Sequence, residues 1–237
     1  MDANETFVGF AEKSSYNACT VKRRGRNNAT AFTLIELLVI VLTLVVCICI
    51  LIPSLAHHRR NTIQEQCQNN LKWVGLAFRT WSVDQSDEFP THYSTSVGGS
   101  KEFENSGQVF VHFRVMSNEM SSASILSCPA DKEKVSATNF NSGFSDSNVS
   151  YFVSLDAGDT YPQMFLSGDR NLALPSRPLT KGLFALTTNT ALNWTKAIHQ
   201  SRGHILFADG SVQFLDATYL TQAARNQGWA TNRLVIP

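Results

Sequence analysis

The chain lacks a charge excess of either sign: 20 Lys and Arg stand against 19 Asp and Glu, a formal net charge of +1. That excludes a nucleic-acid binder working through bulk charge. With 13 Gly and 7 Pro in 237 residues it is neither collagen-like nor low-complexity. Only 16% of residues are charged and 43% are hydrophobic, which excludes a disordered chain. Five cysteines do not make a disulfide-dense scaffold. There is no Cys-x-x-Cys, Gly-x-Ser-x-Gly or His-Glu-x-x-His, and no phosphate-cradling Gly-rich loop. Nothing marks a reaction, and the expectation is a protein that is not an enzyme. Long apolar runs are scarce too, because the chain has one.

That run begins at Phe32 and ends at Ile52, and Pro53 closes it. As a helix its 21 residues rise about 31 Å, enough to cross a hydrocarbon core. Glu36 is its one formal charge, and beyond Thr43, Cys47 and Cys49 it has no polar face of the kind a core helix keeps. The 31 residues before it are polar and carry Lys13, Lys22, Arg23, Arg24 and Arg26 against Asp2, Glu5 and Glu12. Basic residues on that side favour a cytoplasmic N-terminus and an exported C-terminal part, although Arg59 and Arg60 soften the asymmetry. His57-His58-Arg59-Arg60 reads as an anchor at anionic headgroups.

After Pro53 the pattern turns amphipathic. Ile63, Cys67, Leu71, Val74, Phe78 and Trp81 form one helical stripe, with Gln64, Glu65, Gln68, Asn69 and Lys72 on the other faces. The expected domains are a leader (1–31), a transmembrane helix (32–52), a stalk helix (53–84) and an exported domain (85–237). Span and stalk form one long helix kinked at Pro53, which lacks an N–H.

In the exported domain, Val109 to Met120 suggests a second short helix, with a strand over Val109 to Val115 as the alternative. Segments 136–148 and 156–180 read as loops around a strand at Val149–Leu155, with further strands at Leu183–Thr187 and Trp194–Ile198. The clearest local signal is a hairpin over 204–215, where Asp209-Gly210 separates two β-rich runs. A two-residue turn there sets Phe207 opposite Val212 and Ile205 opposite Phe214, so that Ile205, Phe207, Val212 and Phe214 share a face. Thr218 to Gln227 reads as a short helix. The fold class is α+β, a long kinked helix packed on a small antiparallel sheet.

Ala31-Phe32-Thr33-Leu34-Ile35-Glu36-Leu37-Leu38 resembles the prepilin-type signal of type IV pilins and type II secretion pseudopilins. The resemblance implies cleavage between Ala31 and Phe32 by a prepilin peptidase, and N-methylation of Phe32. Glu36 would then be the fifth residue and Pro53 the twenty-second, as in that family; Ala31 stands where the family usually has Gly. Further along, Cys67-Gln68-Asn69-Asn70-Leu71-Lys72, Gly75-Leu76-Ala77 and Phe89-Pro90 are similar to the stalk of large pilin-like families of Planctomycetes and Verrucomicrobia. So are Ser127-Cys128-Pro129-Ala130-Asp131 and His199, nine residues, then Asp209-Gly210, which matches their C-terminal H-X9-DG element. The resemblance implies assembly rather than a reaction. The pilin-like fold is expected, with partners that are other pilin-like subunits (self or related), the peptidase, an assembly ATPase with its inner-membrane platform, and membrane lipid. The implied location is the inner membrane, crossed once, with the folded part outside the cytoplasm, and an envelope filament after assembly.

Competing readings stay open. Ser54-Leu55-Ala56 offers a secretory cleavage site, and the span also suits an uncut anchor. A membrane-tethered binding module for a polysaccharide or other polymer could use Tyr93, Tyr161 and Trp229; an exported enzyme is a third rival. Glu36 reads either as an interfacial residue near the helix start or as the partner of a neighbour's Phe32 amine. No cofactor is expected, though Asp156 and Asp159, with Asp146 nearby, could surround calcium. His199 and His204 are five residues apart with no third ligand at a convincing spacing, which argues against zinc. His199 is expected to cap or hydrogen-bond the hairpin and Asp209 to serve its turn. Cys67 and Cys128 are either a disulfide or two separate buried thiols.

Overall fold

A computed structural model describes residues 33–85 and 87–237, with backbone only at 53–58. The leader and the Ala31–Phe32 junction lie outside the described residues. The longest element is α1, Leu34–Val83, and helical backbone continues through Pro53. The chain forms two compact units, one up to Ile50 and one from Leu51 to Pro237.

In the first unit, Thr33 and Glu36 close the helix start reciprocally. Glu36 Oε2 accepts from Thr33 N and Oγ1, both at 2.9 Å, and Thr33 Oγ1 accepts from Glu36 N at 3.4 Å. This is a capping box, Thr-x-x-Glu, which satisfies donors that a helix start leaves open. The helix that follows, Leu34 to Ile52, is exposed throughout and long and apolar enough to cross a membrane.

In the second unit the stripe on α1 is buried as its spacing predicts. Cys67, Leu71, Val74 and Phe78 are wholly covered, Trp81 nearly so and Ile63 partly. They pack on one face of a six-stranded antiparallel sheet with the order β5-β9-β1-β2-β7-β8. The strands are β1 Tyr151–Ser154, β2 Phe165–Asp169, β5 Gly182–Thr187, β7 Gly203–Phe207, β8 Val212–Leu215 and β9 Thr231–Ile236. Phe152, Phe165, Ile205, Phe207, Leu234 and Ile236 point to the opposite face. That face is covered by α3, Ala217–Arg225, through Leu220 and Ala224, and by a small second sheet. The small sheet holds β3 Leu172–Leu174, β4 Arg177–Pro178 and β6 Asn193–Trp194. Asp216 starts α3 by accepting the N–H groups of Thr218 and Tyr219.

Four expectations need correction. The helix near Val109 is only the short α2, Phe110–Arg114. Segment 156–180 is not loop: it contains the interior strand β2. Trp194 to Ile198 is strand only at Asn193–Trp194, after which the chain turns. The hairpin register is displaced by one residue: Leu206 faces Val212 and His204 faces Phe214. The loop has three residues, Ala208 to Gly210. It is closed by Phe207 N–H donating to Ser211 O at 2.9 Å, with Gly210 at φ 86°. A one-residue shift exchanges the faces, so Ile205 and Phe207 point away from the stalk helix and Leu206 toward it. Since both faces of β7 are covered, either register would have buried apolar side chains.

Candidate functional site

The stalk, two loops and the ends of two strands meet at one buried point. Cys67 on α1 and Cys128 form a disulfide, with Cα atoms 5.0 Å apart. Asn70, one turn along α1, donates to Ser127 O at 3.1 Å and holds the Cys128 loop against the helix. His199 stands beside the bond, its Nε2 3.4 Å from Cys128 Sγ and 3.7 Å from Asp169 Oδ2. Asp169 ends β2, and His204 lies next to it on β7. The same Asp169 oxygen accepts from His204 N at 2.7 Å and lies 3.0 Å from His204 Nδ1. A carboxylate only accepts, so Nδ1 carries the hydrogen of that pair. The rings of His199 and His204 meet edge to face at 4.8 Å, with Phe214 against both.

The turn that aims His199 inward is strained. His199, Gln200 and Ser201 have φ of 51°, 56° and 66°, a left-handed run without glycine. Such a backbone costs roughly 1–2 kcal/mol per residue and persists only where its surroundings hold it. Asn171 does the holding: its Nδ2 lies 3.0, 3.1 and 3.2 Å from the carbonyl oxygens of Thr195, Ile198 and Arg202. Gly203 follows because there is no room for more; a Cβ there would lie 2.5 Å from the Trp194 ring.

Three consecutive residues therefore join the separate parts. Asp169 takes His204 and approaches His199. Arg170 donates to both carboxylate oxygens of Asp131 (2.7 and 2.8 Å) and to Glu133, fixing the Cys-Pro-Ala-Asp loop. Asn171 clamps the His199 turn. Burial tends to raise the Asp131 carboxyl, but the hydrogen bonds and charge of Arg170 outweigh it and leave it below its ordinary value. Burial pushes the His199 imidazole down, against the pull of Asp169 and with the help of His204. Burial also pushes the Tyr151 hydroxyl well up; it reaches Cys67 O at 3.5 Å.

His199 reaches the surface through a cleft of about 350 Å³ lined by Arg60, Ile63, Gln64, Ala130, Lys132, His199 and Gln200. Both sulfurs are bonded to each other, so the site offers no thiolate nucleophile. What it offers is nitrogen and oxygen donors.

The structure separates His199 from Asp209 and Gly210. The latter lie in the loop beyond β7, and the nine-residue spacing is the length of a turn, a strand and half a hairpin loop. Asp209 Oδ1 accepts from Ser211 N at 2.8 Å, as a turn residue does. His199 does not cap that loop; it faces the disulfide at the other end of the strand and meets the hairpin through ring contacts with His204 and Phe214. The apparent absence of a third ligand near His199 and His204 is also corrected, since Asp169 stands within reach of both. Asp156 is held by the Arg233 guanidinium and backbone N–H, and Asp159 pairs with Arg79. Cys47 and Cys49 are exposed on the apolar helix, outside the disulfide. Tyr93 packs on Trp81, while Tyr161 and the half-exposed Trp229 lie 5.0 Å apart at the surface.

Sequence reasoning missed Asp169, Arg170 and Asn171, which sit in a segment whose Gly and charged residues look like loop. Comparison with family models, curated proteins and solved structures gave no match.

Proposed function

We propose that this chain is a pilin-like subunit, stored in the inner membrane through its N-terminal helix and assembled through it into a type IV pilus or a secretion pseudopilus. One observation carries the reading: in a 50-residue helix, the first part is apolar apart from Glu36 and Thr43 and uncovered, while the last third belongs to the core of a folded domain. Fifteen Leu, Ile and Val lie between Leu34 and Ile52. At roughly 0.3–0.6 kcal/mol each on membrane-insertion scales they outweigh the roughly 2.5–3.5 kcal/mol cost of Glu36. The same surface can leave lipid without meeting water if neighbouring helices replace the acyl chains. The leader resemblance supplies the release step: cleavage between Ala31 and Phe32, methylation of Phe32 and assembly powered by a separate ATPase.

Glu36 has two roles to separate. Its capping bonds to Thr33 use one oxygen, Oε2, and Oε1 takes no hydrogen bond among the described residues. In the assembly reading the carboxylate pairs with the Phe32 amine of a neighbouring subunit and sets the stagger between helices. Glu36→Gln keeps an oxygen for Thr33 and removes the charge. The variant is expected to insert and be trimmed like the parent, shown by mass spectrometry of its N-terminus, yet to form no filament. Filaments at the parent's level from Glu36→Gln would reject the ion-pair role. A mature chain that still begins at Met1 in cells carrying the peptidase would reject the subunit reading itself.

A further inference from the structure

We propose that Asp169, His199 and His204 form a binding site for a divalent transition cation of the zinc class, in the protein whose Cys67 and Cys128 are disulfide-bonded. One donor atom from each of the three residues lies within 4.8 Å of the others, and the short contacts single out Asp169 Oδ2, His199 Nε2 and His204 Nδ1. Two of their separations are 3.0 Å and 3.7 Å. Tetrahedral ligands at about 2.0–2.1 Å from zinc stand about 3.4 Å apart, between those values. Two imidazoles and a carboxylate, with a fourth position left over, are a donor set suited to this class of ion.

Charge gives an independent argument. Asp169 is completely buried, and its only ion-pair partners among the described residues are the two histidines. The adjacent guanidinium of Arg170 is spent on Asp131 and Glu133. A buried carboxylate is costly unless it is paired or bound to a metal. Two buried polar atoms of the cluster, Asp169 Oδ1 and His204 Nε2, have no hydrogen-bond partner among the described residues. Hydrogen bonding alone leaves this cluster incompletely satisfied. A cation held by Oδ2, His199 Nε2 and His204 Nδ1 would take the place of the Nδ1 hydrogen and balance the Asp169 charge; Oδ1 and His204 Nε2 are not among its ligands.

Access and strain agree with this placement. The His199 side chain is 5% exposed and helps line the cleft that Arg60 and Lys132 also line, so the cluster meets the surface at His199. The left-handed run at 199–201 is the device that turns this imidazole toward Asp169. Strain of this kind clusters at binding sites.

The test uses the full-length protein in detergent, stripped with a chelator and kept free of reductant so that the disulfide stays closed. It is titrated with Zn(II) or Co(II). The expected result is one equivalent of metal by elemental analysis, a raised unfolding temperature with zinc, and a cobalt spectrum without a sulfur-to-metal charge-transfer band. His199→Gln and Asp169→Asn should each abolish the bound equivalent. His199→Gln is the primary variant, because Asp169 is deep in the core; circular dichroism confirms that each variant is folded. A control variant with His57, His58 and His92 all changed to Gln should bind as the parent does. No bound equivalent in the parent, or one that survives His199→Gln, overturns the proposal. Loss of metal in that control variant, or binding only after reduction with a thiolate band, moves the ligands elsewhere and also overturns it.

Discussion

His112 shows how one side chain couples the fold to pH. It lies in α2 with no exposure, its Nδ1 2.8 Å from Ser100 Oγ and its Nε2 without a partner. Burial pushes the imidazole down to about 4, against a smaller opposing pull from Asp146. Above the unfolded value of about 6.5 the ring is neutral in both states and the fold carries no penalty. As pH falls below that, the unfolded chain takes up a proton that the native chain refuses, until the native ring also titrates near 4. Stability should therefore fall between about pH 6.5 and 4, by at most roughly 3 kcal/mol from this residue. His112→Phe should flatten the fall in unfolding midpoint across that window, and equal slopes for both proteins would remove His112 as its cause. The neighbouring acid limb differs in origin: Asp131, held low by Arg170, contributes stability that is lost only below the ordinary carboxylate range. None of these partners could be read from sequence, because spacing along the chain says nothing about which loop Arg170 or Ser100 will meet. Asp169 is the same case; it lies 35 residues from His204 and becomes its partner only because β2 pairs with β7.

At the scale of elements, the pieces with a strong local period were legible and those defined by their neighbours were not. The stalk stripe from Ile63 to Trp81 declares its buried face through 3.6-residue periodicity. Asp209-Gly210 declares a hairpin, but the choice between a two- and a three-residue loop depends on which face of β7 is free, and neither is. Strand β2 carries Gly168 and Asp169, poor strand formers, and is an interior strand because β1 and β7 flank it. The Cys67–Cys128 bond belongs to this scale, since it ties α1 to a loop that has no regular structure of its own. It closes a separation of 61 residues, which loop-entropy arithmetic values at about 4 kcal/mol. Replacing both cysteines by Ser should lower the unfolding free energy by about that amount, read from urea titrations in detergent. An unchanged urea midpoint would mean that Asn70 and the Arg170–Asp131 pair hold the loop without it.

For the whole molecule the question is whether the apolar helix serves the fold or the folded domain merely carries it. The second unit has its own core, made by the α1 stripe from Ile63 onward and the sheet, and its disulfide lies within it. None of Leu34 to Ile52 is among the core residues of the second unit. A chain of residues 53–237 should therefore be a soluble monomer by light scattering, unfolding cooperatively at the midpoint of the full chain measured in detergent. The full chain should stay with membranes after alkaline carbonate washing, which strips peripheral proteins but not a spanning helix. The two results together would assign the apolar helix to anchoring and assembly and leave the fold to the rest. If the shortened chain aggregated, or melted without a cooperative transition, the apolar segment would be supporting the fold. Its exposed surface would then have to be explained by packing within the protein, not by lipid or by neighbouring subunits.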